Sequence, residues 1–200
     1  MAFDRIALRK EKELSFSKLL GCGKGATFTP RDADVRRWGL LVCMDESVLE
    51  SFDRSPIVMR WRRNALYEFR VVLDPISSYG KWSKKQPFVC TDKIATEAKK
   101  IVAITRARVC LRHYVHFLKA VPPVVQSLHS SPGLISAFGI GEAPIGLQGT
   151  FSLWESESSL HNFAFKTEAH KKAISEANRF SWFSEELFAR LAVRDIRGSL

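Results

Sequence analysis

Gly139-Ile-Gly-Glu142, Thr150-Phe-Ser-Leu-Trp-Glu-Ser-Glu157, Phe163, His170 and Trp182-Phe-Ser-Glu-Glu-Leu-Phe-Ala-Arg190 decide how this chain folds. Their order predicts two strands, an amphipathic helix with one histidine on its apolar side, and a closing strand. Working outward, Lys100 to Leu111 reads as a strand and Tyr114 to His129 as a helix bent at Pro122-Pro123. Leu134 to Ile140 and Leu147 to Trp154 read as strands, Ser158 to Asn178 as a helix, and Leu187 to Val193 as the last strand. The sum is β-α-β-β-α-β, the ferredoxin-like unit.

A second, shorter copy precedes it. Lys18-Leu-Leu-Gly-Cys-Gly-Lys24, Trp38-Gly-Leu-Leu-Val-Cys-Met-Asp-Glu-Ser47 and Phe52 match Ala137-Phe-Gly-Ile-Gly-Glu142, Thr150-Phe-Ser-Leu-Trp-Glu-Ser156 and Phe163 in order, which suggests an internal duplication. In this half Met1 to Lys10 is helix-like, Leu14 to Leu20 and Arg37 to Met44 strand-like, Glu46 to Ala65 helical, and Tyr67 to Leu73 β-rich. It therefore reads α-β-β-α-β and lacks an opening strand. The fold class expected is α+β: two tandem ferredoxin-like halves, residues 1–92 and 93–200, whose sheets pack face to face as a half-open barrel. Asp74 to Phe88 is turn-rich and basic, and the stretch to Ala98 reads as connector.

With 46% hydrophobic residues, 200 residues can bury one sizeable core or two small ones without disulfide or structural metal. Cys22, Cys43, Cys90 and Cys110 form no C-x-x-C pair, which argues against a zinc site, an iron–sulfur cluster or a disulfide framework and for reduced thiols in a cytoplasmic protein. No run approaches the roughly 18 apolar residues of a membrane span, and the first residues lack signal-peptide order, so at most a peripheral contact with the inner membrane is expected. The formal net charge of +10 invites nucleic acid or anionic lipid as partner. The clusters Arg60-Trp-Arg-Arg63 and Lys81-Trp-Ser-Lys-Lys85 come without any RNP, KH or zinc-knuckle pattern, which disfavours nucleic acid. Tryptophan among cations also suits a membrane interface.

Candidate site residues follow from phase. On an uninterrupted helix Leu160, Phe163, His170, Ala173, Ile174 and Ala177 share one stripe, so His170 points with the apolar residues and His161 away from them. An inward imidazole on such a scaffold suits an iron porphyrin; a histidine bonded to backbone is the plainer and commoner alternative. A break near Lys166-Thr167 would spoil the phase argument. Arg106 is a charge inside an apolar strand, facing either into the barrel, to hold a propionate or polarise bound oxygen, or outward. Gln148 opens the strand to Trp154 and is read as a polar lining residue or a strand-end amide. His113 and His116 stand three apart where a helix begins, and His129 at a helix end, all more simply solvated than metal-bound. No G-x-S-x-G, P-loop, H-E-x-x-H or dinucleotide fingerprint is present.

Taken together the chain resembles the spheroidene monooxygenase family, the carotenoid ketolases. The resemblance rests on Lys18-Leu-Leu-Gly-Cys-Gly-Lys-Gly25 with Phe28-Thr-Pro30, Pro56 with Arg60-Trp-Arg-Arg63, Gly80-Lys-Trp-Ser83 with Pro87-Phe88, and Thr105-Arg-Ala107, and on the C-terminal motifs quoted at the start. It implies a dimeric α+β barrel relative that uses haem b, molecular oxygen and electrons from reduced ferredoxin. Such an enzyme inserts oxygen at C2 of an acyclic, spheroidene-like carotenoid, giving a hydroxyl and then a ketone. Carried onto this sequence, His170 would be the axial iron ligand, Arg106 catalytic, and Phe163 and Gln148 cofactor-binding. A non-catalytic haem or small-ligand binding protein of the same fold is the alternative. The segment from Trp154 to His170 also resembles small haem-degrading monooxygenases, but Phe163 stands where they carry a distal tryptophan and their first-strand asparagine has no match, which weighs against haem degradation.

Overall fold

The computed structural model describes residues 2–25, 27, 30–90, 100–143, 146–166 and 168–198; the side chains of 2, 3, 30, 166, 168–170 and 178 lie outside that description. Helix α1 (Ala2–Lys10) leads into strands β1 (Leu14–Gly23) and β2 (Ala33–Met44), helices α2 (Leu49–Asp53) and α3 (Pro56–Asn64), and strand β3 (Phe69–Gly80). The second half runs β4 (Ile101–Val109), α4 (Tyr114–His129), β5 (Leu134–Gly141), β6 (Leu147–Trp154), α5 (Glu157–Lys166), α6 (Glu168–Phe180) and β7 (Phe183–Gly198). All seven strands form one antiparallel sheet in the order β2-β1-β5-β6-β4-β7-β3. Within it β5-β6-β4-β7 is the expected ferredoxin-like arrangement.

The expectation of two sheets packed face to face is corrected here: the halves share a single sheet, because each of two strands pairs antiparallel with its own repeat counterpart. β1 meets β5 through the two Gly-x-Gly motifs, Gly21 opposite Gly141 and Cys22 opposite Ile140. A Cβ on Gly25 would stand 2.4 Å from the Ala137 carbonyl oxygen, so glycine permits the approach of the chains there. β3 meets β7 along its whole length, from Phe69 opposite Gly198 to Gly80 opposite Leu187. In the second half β4 lies between β6 and β7; in the first half the equivalent place, between β2 and β3, holds no strand among the described residues. The opening strand that the first half lacks would fall there, and β2 and β3 are the two edges of the sheet.

The sheet curls so that side chains of every strand meet in one core: Phe16 and Leu20, Leu41, Val71, Val102 and Ile104, Phe138, Phe151 and Leu187 among them. Phe151 stacks on Phe138 at 4.9 Å and meets Phe69 edge-on at 6.2 Å, linking strands β3, β5 and β6 across the interior. Outside, α4 and α5 cover Ile101, Ala103 and Trp154, with Leu128, Leu160 and Phe163 filling that layer. On the other flank α1, α2 and α3 bring Leu8, Phe52 and Ile57 onto the outer sides of β1 and β2.

Three further departures have local causes. The helix expected over Glu46 to Ala65 splits at Ser55-Pro56: Pro56 cannot continue α2 but opens α3, and the Ser55 hydroxyl accepts from Val58 N at 3.4 Å as its cap. β3 runs on to Gly80 through Pro75, because the ring sits on an edge strand at a register shift, where no donor is missed. The helix expected over Ser158 to Asn178 is two, α5 and α6, and Thr167 between them lies outside the described residues. The expected stripe is therefore shared by two helices: Leu160, Phe163 and Ala177 are buried, while Ile174 is 45% exposed.

Candidate functional site

On four strands the inward row of the core carries or leads to a charged position. Lys18 stands between Phe16 and Leu20 on β1, Arg106 follows Val102 and Ile104 on β4, Glu142 follows Phe138 and Ile140 past β5, and Glu185 precedes Leu187 and Ala189 on β7. Alternation along a strand sends all four to the same side of the sheet, and they converge at one end of the interior. Arg106, 3% exposed, bonds Glu185 through Nη1 and Glu142 through Nη2, the latter at 2.9 Å. Lys18 Nζ donates to Glu142 Oε2 and to the Ser83 hydroxyl, each at 2.5 Å. Trp82, 1% exposed, donates its indole N–H to Glu142 Oε1 at 2.7 Å and lies 5.8 Å under the Arg106 guanidinium.

The remaining lone pairs are met by backbone. Ser83 and Lys84 both have positive φ (53° and 63°) at the tip of a tight turn closed by Trp82 and Lys85, the signature of a type I′ hairpin turn without its usual glycine. Their amides donate to Glu185 at 3.0 and 2.6 Å, so the carboxylate holds the turn in that backbone conformation. Burial alone would raise the Glu142 carboxyl, but hydrogen bonds from Lys18 and Trp82 and the charges of Lys18 and Arg106 outweigh it and hold it below the ordinary range. Burial likewise opposes ionisation of Glu185, and the Lys84 and Ser83 amides with Arg106 overcome it. Two cations thus face two anions, and one buried donor, Arg106 Nε, has no acceptor among the described residues.

The predicted site residues are not gathered in one place. Arg106 faces the interior. Gln148 on β6, opposite Ala107 on β4, faces the helices, where its Nε2 donates to the Tyr114 hydroxyl at 3.3 Å and its buried Oε1 has no partner among the described residues. Phe163 is on the helix side too, stacked on Trp154 at 5.4 Å, so the sheet separates it from Phe138 and Phe151 in the interior. His170 belongs to α6, which packs on α4 and α5, and its side chain lies outside the described residues. His129 contacts the Gly25 carbonyl at 2.6 Å, and His113 accepts from Arg112 at 3.0 Å. The indoles of the two basic clusters are turned inward: Trp82 is in the ion cluster, and Trp61 donates to Asp4 at 3.3 Å.

No group of three or more His, Cys, Asp or Glu residues suited to a metal occurs among the described residues. Burial pushes the Cys22 and Cys43 thiols up to about 11, so neither offers a thiolate at neutral pH. For a haem, the side chains described do not fit as they stand. Between sheet and helices Leu128, Trp154, Leu160 and Phe163 are each under 10% exposed and pack into one cluster, which fills the described part of that layer. On the inner side Arg106 is already engaged by two carboxylates. A surface cleft is lined by six charged residues, Glu50, Asp53, Arg54, Arg62, Glu68 and Arg197, together with Gly198.

Fold and cluster define a class: a ferredoxin-like α+β protein whose apolar, aromatic interior ends in an internally neutralised set of charges. The chain belongs to the spheroidene monooxygenase family. It is 32% identical over 203 residues to the spheroidene monooxygenase of Rhodobacter capsulatus, covering all of this chain and 83% of that protein. The enzymes of the same name from Cereibacter sphaeroides (31% over 196 residues, 96% of this chain and 60% of that one) and Rubrivivax gelatinosus (33% over 184 residues, 92% and 70%) are similar in the same way. No protein-family model matches. At the level of class, membership makes the chain an oxidoreductase of monooxygenase type.

Proposed function

We propose that the protein is an oxygenase acting on a long apolar polyene of the acyclic carotenoid class, introducing a hydroxyl and then a keto group at C2. The observation that carries this reading is the match along essentially the whole chain to three proteins of that name. The first step converts C–H, O2, two electrons and two protons to C–OH and water. A second hydroxylation at the same carbon gives a hydrate that loses water to the ketone. Reduced ferredoxin is the proposed electron donor. The resemblance implies haem b held by His170 for oxygen activation, which the described side chains would accommodate only if the layer between sheet and helices opened.

The chain's own residues supply an apolar environment and a fixed donor. Leu41 and Cys43 on β2 and Phe69, Val71 and Leu73 on β3 pack on the core yet remain partly open where the sheet has its two edges, and they offer a polyene an apolar surface leading to the interior. Arg106 Nε–H, buried without an acceptor among the described residues, is the donor proposed to meet an oxygen atom of a bound molecule, with Glu142 and Glu185 holding the guanidinium in place. Because the four charges neutralise one another and leave no free acid or base, a non-catalytic ligand-binding protein of the same fold is the second reading.

Production of the protein in cells that accumulate an acyclic carotenoid separates the two. The proposal requires hydroxylated and keto products from wild type and their loss in Arg106→Lys; unchanged carotenoid with wild type sinks the enzyme reading. Haem added to purified protein should give a Soret band that shifts or collapses in His170→Ala, and an identical spectrum in the variant removes His170 as ligand.

A further inference from the structure

We infer that the outward face of α4, with the turn that leads into it, docks on an anionic lipid bilayer. Residues 98–141 contain no Asp or Glu, while Lys99, Lys100, Arg106, Arg108, Arg112 and Lys119 fall within them. Phe117 fixes the orientation of the helix, meeting Trp182 edge-on at 6.4 Å and Phe183 at 5.9 Å, so the positions opposite it point away from the body. Those positions are Arg112, Val115, His116, Lys119 and Pro122, spaced by three and four, with Leu111 just ahead of them. Leu111 is 79% exposed and Val115 62%. Helix α6, packed beside α4, offers Glu176, which lies against Lys172.

A helix face that shows water branched apolar side chains among cations, with no carboxylate, has the composition of an interfacial helix: the apolar groups enter the headgroup boundary and the cations meet lipid phosphate and carboxylate. Charge complementarity selects an anionic surface over a neutral one. The tryptophan-bearing basic clusters do not compete for this role, since Trp82 and Trp61 are bonded inside the protein. The inference goes beyond the proposed reaction and does not depend on it, because vesicle binding is read without turnover.

The test is co-sedimentation of the full chain with vesicles of phosphatidylcholine alone and of phosphatidylcholine with phosphatidylserine. Wild type should sediment with the anionic vesicles and stay in solution with the neutral ones. Arg112→Gln with Lys119→Gln should weaken binding by about thirtyfold, from roughly a five- to sixfold contribution per cation. Leu111→Ser with Val115→Ser should weaken it even where salt has screened the charges. All four positions are on the surface, and unchanged circular dichroism melts confirm that the variants fold. Equal sedimentation of wild type and both double variants overturns the inference. Retention on single-stranded oligonucleotide that is lost in Arg112→Gln/Lys119→Gln, without vesicle binding, overturns it in favour of nucleic acid.

Discussion

Replacing Arg106 by Met removes a cation that touches both interior carboxylates while keeping a flexible apolar stem in its place. The Arg106 side chain is 2% exposed, Glu142 15% and Glu185 12%, so little solvent screens the change. Breaking a buried pair on one side costs about 3 to 5 kcal/mol, since a desolvated charge is left behind. Glu142 keeps Lys18 and Trp82, and Glu185 keeps two amides, which places the expected loss near the lower end, about 3 kcal/mol. For a chain of this length that corresponds to a melting point lower by about 6 to 12 °C. Arg106→Met/Glu185→Gln should recover at least about 1 kcal/mol of it, as coupled neighbours do. Thermal and urea unfolding followed by circular dichroism measure both, with exposed Arg108→Met as a control expected within about 0.5 kcal/mol of wild type. If Arg106→Met melts with that control, or the double variant equals the sum of its parts, the four charges are not an interacting unit.

Both cluster carboxyls are depressed in the folded state, so their contribution to stability is complete above the unfolded value of about 4.3 and disappears as pH falls through the lower folded values. Glu142→Gln should therefore flatten the acid limb of a stability–pH curve, and an unchanged slope below pH 5 contradicts the assignment. At Gly149, opposite Arg106, a Cβ would lie 2.2 Å from the Thr105 carbonyl oxygen; Gly149→Ala is expected to destabilise by about 1 to 3 kcal/mol in urea, and wild-type stability would show that β4 and β6 part easily. Thiol titration at neutral pH should show Cys90, which is exposed, reacting first, while Cys22 and Cys43, protonated up to about 11, react only on unfolding. Rapid reaction of Cys22 would mean that the interior opens.

The second ferredoxin-like half was legible because its strands and helices change period where glycines and prolines fall, and the Gly-x-Gly duplication pointed to a repeat. That the two motifs would pair with each other was not, since a repeat says nothing about which copy of a strand adjoins which. Arg106 stands out in sequence as a charge within Val102 to Val109. Its partners do not, because Lys18, Glu142 and Glu185 each look like an isolated polar residue beside a turn or strand end. One signal was available: each occupies the inward parity of an apolar row, and two of each sign balance. Gln148 and Phe163, tied to the same site as Arg106 by the resemblance, lie on the other face of the sheet, which sequence order does not record, and the division into α5 and α6 removes the single uninterrupted helix on which the phase of His170 relies.

The two margins of the sheet have a consequence for handling this protein. β2 and β3 each leave a row of amide and carbonyl groups without a ladder partner among the described residues, beside partly open Leu41, Phe69 and Val71. Unprotected margins of this kind recruit foreign strands and drive clumping. Arg36 and Arg37 on one side and Pro75 on the other are the features that hold intruders off, so neutralising those arginines should make the purified protein precipitate sooner than losing any buried methyl group would.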